Sequence, residues 1–193
     1  MTDLPIDPIA IDVGKLLNKT VTSLYSHLVT RPTGRAVRMA IATQLQSAGE
    51  QSLSLIDLSE VVIIDFSCAD EVVAKLLQEY QDNEVHDAFF VFRGVHEPHR
   101  DQIEVVLVRQ GLAAVVETDP GNFQLLGVHS DREDRVWGVL EARGMLAIDE
   151  IDSVFDDLED RKTLESLVHR GLAFRSLISG RIHSLSRLVE HLM

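Results

Sequence analysis

Four side chains in the run DLSEVVIIDFSCA, residues 57–69, offer the most chemistry in this chain: Asp57, Ser59, Asp65 and Ser67. An apolar strand precedes the run and a helix is expected to follow it, which places Ser67 at a helix N-terminus. A hydroxyl there has two uses. It caps the helix, a contribution of about 1 kcal/mol, or it carries a phosphate that the N–H groups and dipole of the terminus stabilise. Such a phosphate adds roughly −1.5 to −2 charge and would end docking on an acidic or apolar surface.

Other constellations carry less. His96-Glu97-Pro98-His99 contains ligand types common in metal sites, but Pro98 interrupts helical i,i+4 geometry and no third ligand is identifiable, so a solvated loop is expected. The acids between Asp149 and Asp160 lack the glycine and the ligand spacing of a calcium loop. There is no nucleophile elbow, no P-loop and no Gly-rich dinucleotide fingerprint, and pairing Ser67 with a distant histidine is open to any chain with eight of them. The expectation is a protein that is not an enzyme and uses neither metal nor cofactor.

Composition narrows the setting. With 193 residues, one large or two small domains are allowed, and 45% hydrophobic with 25% charged residues is ordinary for a globular chain. No apolar run approaches the roughly 20 residues that cross a bilayer, and the N-terminus lacks the basic and apolar regions of a signal peptide. Cys68 is the only cysteine, which excludes an intramolecular disulfide and a thiolate-rich metal site. A soluble, cytoplasmic protein is expected. The net charge of −13 supplies no basic field for phosphate, so nucleic acid is a poor default partner.

The elements that must position these residues follow from periodicity. Residues 1–12 read as an arm or short edge segment. Val13, Leu16, Leu17, Val21, Leu24 and Leu28 predict a helix over 13–28; Arg31-Pro32-Thr33-Gly34 breaks the pattern, and a second helix is expected over 35–47, ending at Gly49. Short apolar runs at 53–58 and 61–64 are followed by a helix over 69–80 with Ser67 as its N-cap. AFFVFRGV (88–95) reads as a strand buried on both faces. Pro98 opens a helix stopped at Gly111, and strands at 112–116 and 123–128 flank the turn Asp119-Pro120-Gly121-Asn122. The order implies an α/β layer, partly parallel, with a final hairpin as antiparallel edge.

On these residues the first part resembles the STAS domain of anti-anti-sigma factors. Asp57, Leu58, Ser59, Val61, Ile64, Asp65 and Ser67 fit that family's loop without a gap, with Phe66 at its first serine and Cys68 at its glycine. In that respect the chain resembles a divergent STAS-like group of bacterial proteins. The resemblance implies that Ser67 is the residue a partner kinase phosphorylates. It also implies that Asp57, Ser59, Asp65 and Ser67 form a partner-binding loop for a serine kinase or an anti-sigma-like regulator.

After the polar run 129–134 the pattern changes to helices over 135–141, 148–155 and 159–170, with Gly171 ending the third, then a hairpin of 172–177 and 181–185 and a last helical turn. LESLVHRGLAFRS followed by SGRIHSL resembles the recognition helix and wing of a winged-helix domain. The chain is therefore expected to be α/β, with a STAS-like mixed sheet and an N-terminal helical extension over 1–129. A small winged-helix domain of three helices and a β-hairpin is expected over 130–193, with the boundary between Val128 and Arg135 open to proteolysis.

Charge decides what such a wing touches. From Asp149 to Arg170 there are eight acids and three bases, so repulsion from phosphate is expected to exceed attraction. Arg161, Lys162, Arg175 and Arg181 are the candidate DNA contacts of the alternative reading, a DNA-binding regulator with a STAS-like sensor. The expectation is a regulatory adaptor that binds protein, with the winged part mediating dimerisation or a second contact.

Overall fold

Alternation of β-branched and aromatic segments with helix-forming ones builds a five-stranded sheet whose two faces are covered by different parts of the chain. The structure, a computed structural model, describes residues 5–20, 27–46, 51–81 and 87–192. In chain order the first part contains β1 (Ile9–Asp12), α1 (Val13–Thr20), β2 (His27–Leu28), α2 (Arg31–Leu45), β3 (Gln51–Asp57) and β4 (Ile63–Ile64). Next come α3 (Phe66–Ala69), a π-helical turn (Asp70–Ala74), α4 (Lys75–Gln81), β5 (Asp87–Arg93), α5 (His99–Gln110), β6 (Ala113–Asp119) and β7 (Asn122–Gly127). The sheet order is β1-β3-β5-β6-β7, parallel through β6 and antiparallel at β7. The expected α/β class and mixed sheet are found.

Strand order has a direct consequence. A sheet that grows in one direction through right-handed crossovers carries every connecting helix on the same face. Ile11, Ile56, Phe90, Phe92, Ala114 and Val116 accordingly join one cluster with Leu17, Val37, Ile41, Val72, Leu76, Ile103 and Val106 from the helices. The alternate positions Leu53, Leu55, Phe89, Val91, Ala113, Val115 and Leu125 point the other way and are also buried. Their cover is supplied by the C-terminal part.

That part contains α6 (Asp131–Arg143), β8 (Met145–Leu146), a 3₁₀ turn (Ile148–Glu150), α7 (Ile151–Val154), α8 (Leu158–His169), β9 (Phe174–Arg175), β10 (Ile182–His183) and α9 (Leu185–Val189). Its strands form an antiparallel sheet in the order β8-β10-β9. Trp137, Leu140, Leu164, Leu167, Phe174 and Leu188 lie in one cluster with the second sheet face, and the ring of Phe174 meets that of Phe89 edge-on at 5.2 Å. The strand AFFVFRGV is thus buried on both faces as its composition requires.

Several local expectations change. Helix α1 stops at Thr20 and Leu28 belongs to β2; positions 21–26 of the expected longer helix lie outside the described residues, as does Gly49. Pro32 opens α2 instead of preceding it: Thr30 caps the helix and Pro32 occupies its first turn, where the missing N–H costs nothing. The polar run 129–134 builds the start of α6 through a capping box of Ser130 and Glu133. Arg170 ties that start to α8, binding Glu133 and the Val128 carbonyl. Strand β8, absent from the sequence expectations, completes the small sheet because two residues between a helix and a turn carry no periodicity to read.

Candidate functional site

The four loop residues lie where the parallel strands end, the edge at which open α/β sheets commonly place their sites. Asp57 is the last residue of β3, and its Oδ1 accepts the Ser59 N–H at 2.9 Å, closing a tight turn. In register across the sheet stand Asp12, Asp57, Arg93 and Glu117. Arg93 Nη1 approaches Asp57 at 3.8 Å and its Nε lies 3.2 Å from Glu117. Glu117, 4% exposed, also accepts the Gly121 N–H at 2.8 Å. Sequence reading missed Arg93 and Glu117, because only the strand register sets Arg93 between Asp57 and Glu117.

The other end of the loop differs from expectation at Ser67. The N-cap of α3 is Asp65, whose Oδ1 accepts the Cys68 N–H at 2.8 Å. Ser67 sits inside the first turn, half-buried, and donates its hydroxyl to the same oxygen at 2.9 Å. The reason is geometric: an N-cap reaches the N–H two or three residues ahead, and with the helix starting at Phe66 only Asp65 precedes it. The structure therefore makes two pairs, Asp57 with Ser59 and Asp65 with Ser67, at opposite ends of the loop. Leu58, Val61 and Ile64 between them are buried, whereas Val62 and Ile63 are 59% and 43% exposed.

Close approaches hold this edge in place. Gly94, at φ +74°, lies so near Ser59 that a Cβ would fall 2.6 Å from the Ser59 nitrogen, so only glycine fits there. On the other side a Cβ on Gly34 of α2 would meet Cys68 Cα at 3.0 Å. The space that a glycine at position 68 would have opened is thus supplied by α2. Cys68 is fully buried, its Sγ 2.9 Å from the Thr30 carbonyl. Burial, with Asp65 nearby, pushes its thiol up to about 12, which leaves it protonated and unreactive at neutral pH.

Beneath the loop, the π-helical turn brings the buried Asp70 and Glu71 toward α2. Arg31 donates to Asp70 at 2.7 Å and to Glu71 at 2.9 Å, Arg38 reaches Glu71 and Glu79, and Lys75 also binds Glu71. Burial alone would raise Glu71, but Lys75, Arg31 and Arg38 together hold its carboxyl below the ordinary range. These ion pairs clamp α2 to the helix that Asp65 caps.

The solvated loop expected at 96–99 is found at His96 but not at His99, which is buried against the backbone of loop 57–67. His99 is 1% exposed, with Nε2 at 3.1 Å from the Val62 carbonyl, and His96 is exposed. Among the described residues no group of three or more His, Cys, Asp or Glu side chains is placed to hold a metal ion.

In the C-terminal part, three of the four candidate DNA contacts are already bound to acids. Arg161 pairs with Asp152 at 2.5 Å, Lys162 with Glu159 at 2.8 Å and Arg175 with Glu165 at 2.5 Å. Arg181 is exposed, and its side chain has no carboxylate partner among the described residues. Of the acids at the start of α8, Asp156, Asp157 and Glu159 are exposed, whereas Asp160 is 6% exposed and gripped by Arg135 through two bonds of 2.8 Å and by Arg132 at 3.0 Å. The hairpin tip is apolar: Leu177 and Ile178 are 74% and 96% exposed.

Among the described residues no helix is long and apolar enough to cross a membrane. Compared with known proteins, the chain matches no family model, no curated protein and no solved structure.

Proposed function

We propose that this protein is a non-enzymatic regulatory adaptor in which a STAS-like α/β unit docks a protein partner through loop 57–67. The observation that carries this reading is the pair Val62 and Ile63, exposed aliphatic side chains held between two hydrogen-bonded ends. Aliphatic side chains on a pre-ordered loop lose little entropy when covered, which is the economy a docking surface needs. The partner class is a serine kinase or an anti-sigma-like regulator. Phosphate on Ser67 would have to leave Asp65 and set a further charge of roughly −1.5 to −2 beside that carboxylate. The cap would weaken and the docked partner would be released.

The helix, strand, two helices and hairpin of the C-terminal part favour a winged-helix reading, and its apolar tip favours contact with protein, a second copy included, over contact with phosphate. The competing reading, a DNA-binding regulator, draws on the exposed Arg181 and on this topology. The test is to capture partners from the native host, identify them by mass spectrometry, and titrate each purified partner against the wild type and Val62→Asp/Ile63→Asp. A loss of tenfold or more, about 1.4 kcal/mol, with unchanged circular dichroism supports the reading; equal affinity for both proteins sinks it.

A further inference from the structure

A second feature of the same sheet edge lies between the start of α5 and the β6–β7 turn. There a cleft of about 420 Å³ is lined by His96, Glu97, Arg100, Thr118, Asp119 and Asn122, within the roughly 300–1,000 Å³ range of small-molecule sites. Two hydrogen bonds hold its walls. Val95 donates to the Glu117 carbonyl at 3.1 Å, and the turn is held by the Gly121 bond to Glu117. Arg100 is half-buried; its Nε is enclosed without a hydrogen-bond partner, and its guanidinium forms no ion pair among the described residues. This contrasts with Arg31, Arg93, Arg132, Arg135 and Arg170, each bound to a carboxylate. A guanidinium left half-desolvated and unmatched is stabilised by an anion, since charge-assisted bonds to a carboxylate replace the hydration it has lost.

The rest of the lining restricts which anion fits. Glu97 and Asp119 oppose a single arginine, so phosphate or a nucleotide would bring its charge against two carboxylates, and a simple cation would meet Arg100. We propose that the cleft binds a small zwitterion of the α-amino acid class, its carboxylate on Arg100 and its ammonium group on Asp119 or Glu97. The Asn122 amide donates to the Thr118 hydroxyl at 3.3 Å, so these two complete the polar lining by bonding each other across the turn. The loop 57–67 has no part in this site, so it stands or falls separately from partner docking.

The experiment is calorimetric titration of the full chain with each proteinogenic amino acid, with inorganic phosphate, and with acetate and methylammonium separately. At least one amino acid should bind saturably while acetate and methylammonium do not. Arg100→Gln should weaken that binding by about tenfold or more, as expected for a charge-assisted bond. Glu97→Gln/Asp119→Asn, a double change at exposed residues that leaves the core intact, should weaken it as well and serves should Arg100→Gln fail to fold. No binding by any amino acid up to about 10 mM, a free energy below about 3 kcal/mol, overturns the proposal. So does phosphate binding that depends on Arg100 without amino-acid binding, or affinity unchanged in Glu97→Gln/Asp119→Asn.

Discussion

The hydroxyl of Ser67 and the backbone N–H of Cys68 donate to one and the same oxygen, Oδ1 of Asp65, at 2.9 and 2.8 Å. Asp65 is thus the cap, and Ser67 reports on it. Asp65→Ala is expected to lower stability by about 1 kcal/mol, within the 0.5–2 range for lost caps, and Ser67→Ala by less, because the cap bond survives it. Ser67→Asp sets two carboxylates together and should destabilise more than Ser67→Ala at neutral pH. Urea unfolding of the three variants checks the order; a larger loss for Ser67→Ala than for Asp65→Ala would reassign the cap.

Glu141 on α6 accepts the Ser186 hydroxyl at 2.5 Å, and its other oxygen is buried without a partner among the described residues. Burial raises its carboxyl above the ordinary value of 4.5, against the hydrogen bonds and Arg187, which lower it. A group raised in the folded state contributes stability that is complete below its unfolded value and lost as pH rises through the folded one. Glu141→Gln should therefore raise Tm at pH 7, by the few degrees that about 1 kcal/mol gives a chain of this size. The gain should shrink toward pH 4.5. Glu71 acts oppositely, its contribution present above 4.5 and lost as pH falls through its lowered value. A melting series of both proteins from neutral to acidic pH checks the sign, and a gain for Glu141→Gln that grows on acidification would contradict it.

Phe174 from the small hairpin packs on Phe89 of the sheet and is fully buried. Phe174→Ala should cost about 3–5 kcal/mol and lower the stability of the whole chain, since the lost contacts belong to the shared cluster. Tryptophan fluorescence reports Trp137 in the C-terminal part and far-UV circular dichroism reports all elements. Coincident transitions are expected, and two well-separated ones would show that the parts unfold independently.

DNA binding by the C-terminal part should be no tighter than about micromolar at physiological salt, the non-specific range. Arg161, Lys162 and Arg175 would have to leave Asp152, Glu159 and Glu165 to reach phosphate. Fluorescence anisotropy with genomic fragments selected from a library measures this. Nanomolar, salt-sensitive affinity abolished by Arg181→Ala would establish the competing regulator.

Local signals were enough to read the alternation of strands and helices, the Asp119–Asn122 turn, the stops at Gly111 and Gly171, and the antiparallel final strand. Each depends on residues within a few positions of one another: periodicity, turn chemistry, or a glycine whose φ is +69° at both stops. The loop residues Asp57, Ser59, Asp65 and Ser67 were legible in the same way. Tertiary structure alone decided the order β1-β3-β5-β6-β7, and with it that one sheet face would be left for residues 131–192 to cover. It also decided that Asp160 turns inward to Arg135, that Arg93 stands between Asp57 and Glu117, and that Gly34 makes room for Cys68. These outcomes pair residues far apart in the chain, and their energies come from register, close approach and mutual desolvation, none of which exists until the distant partner has arrived.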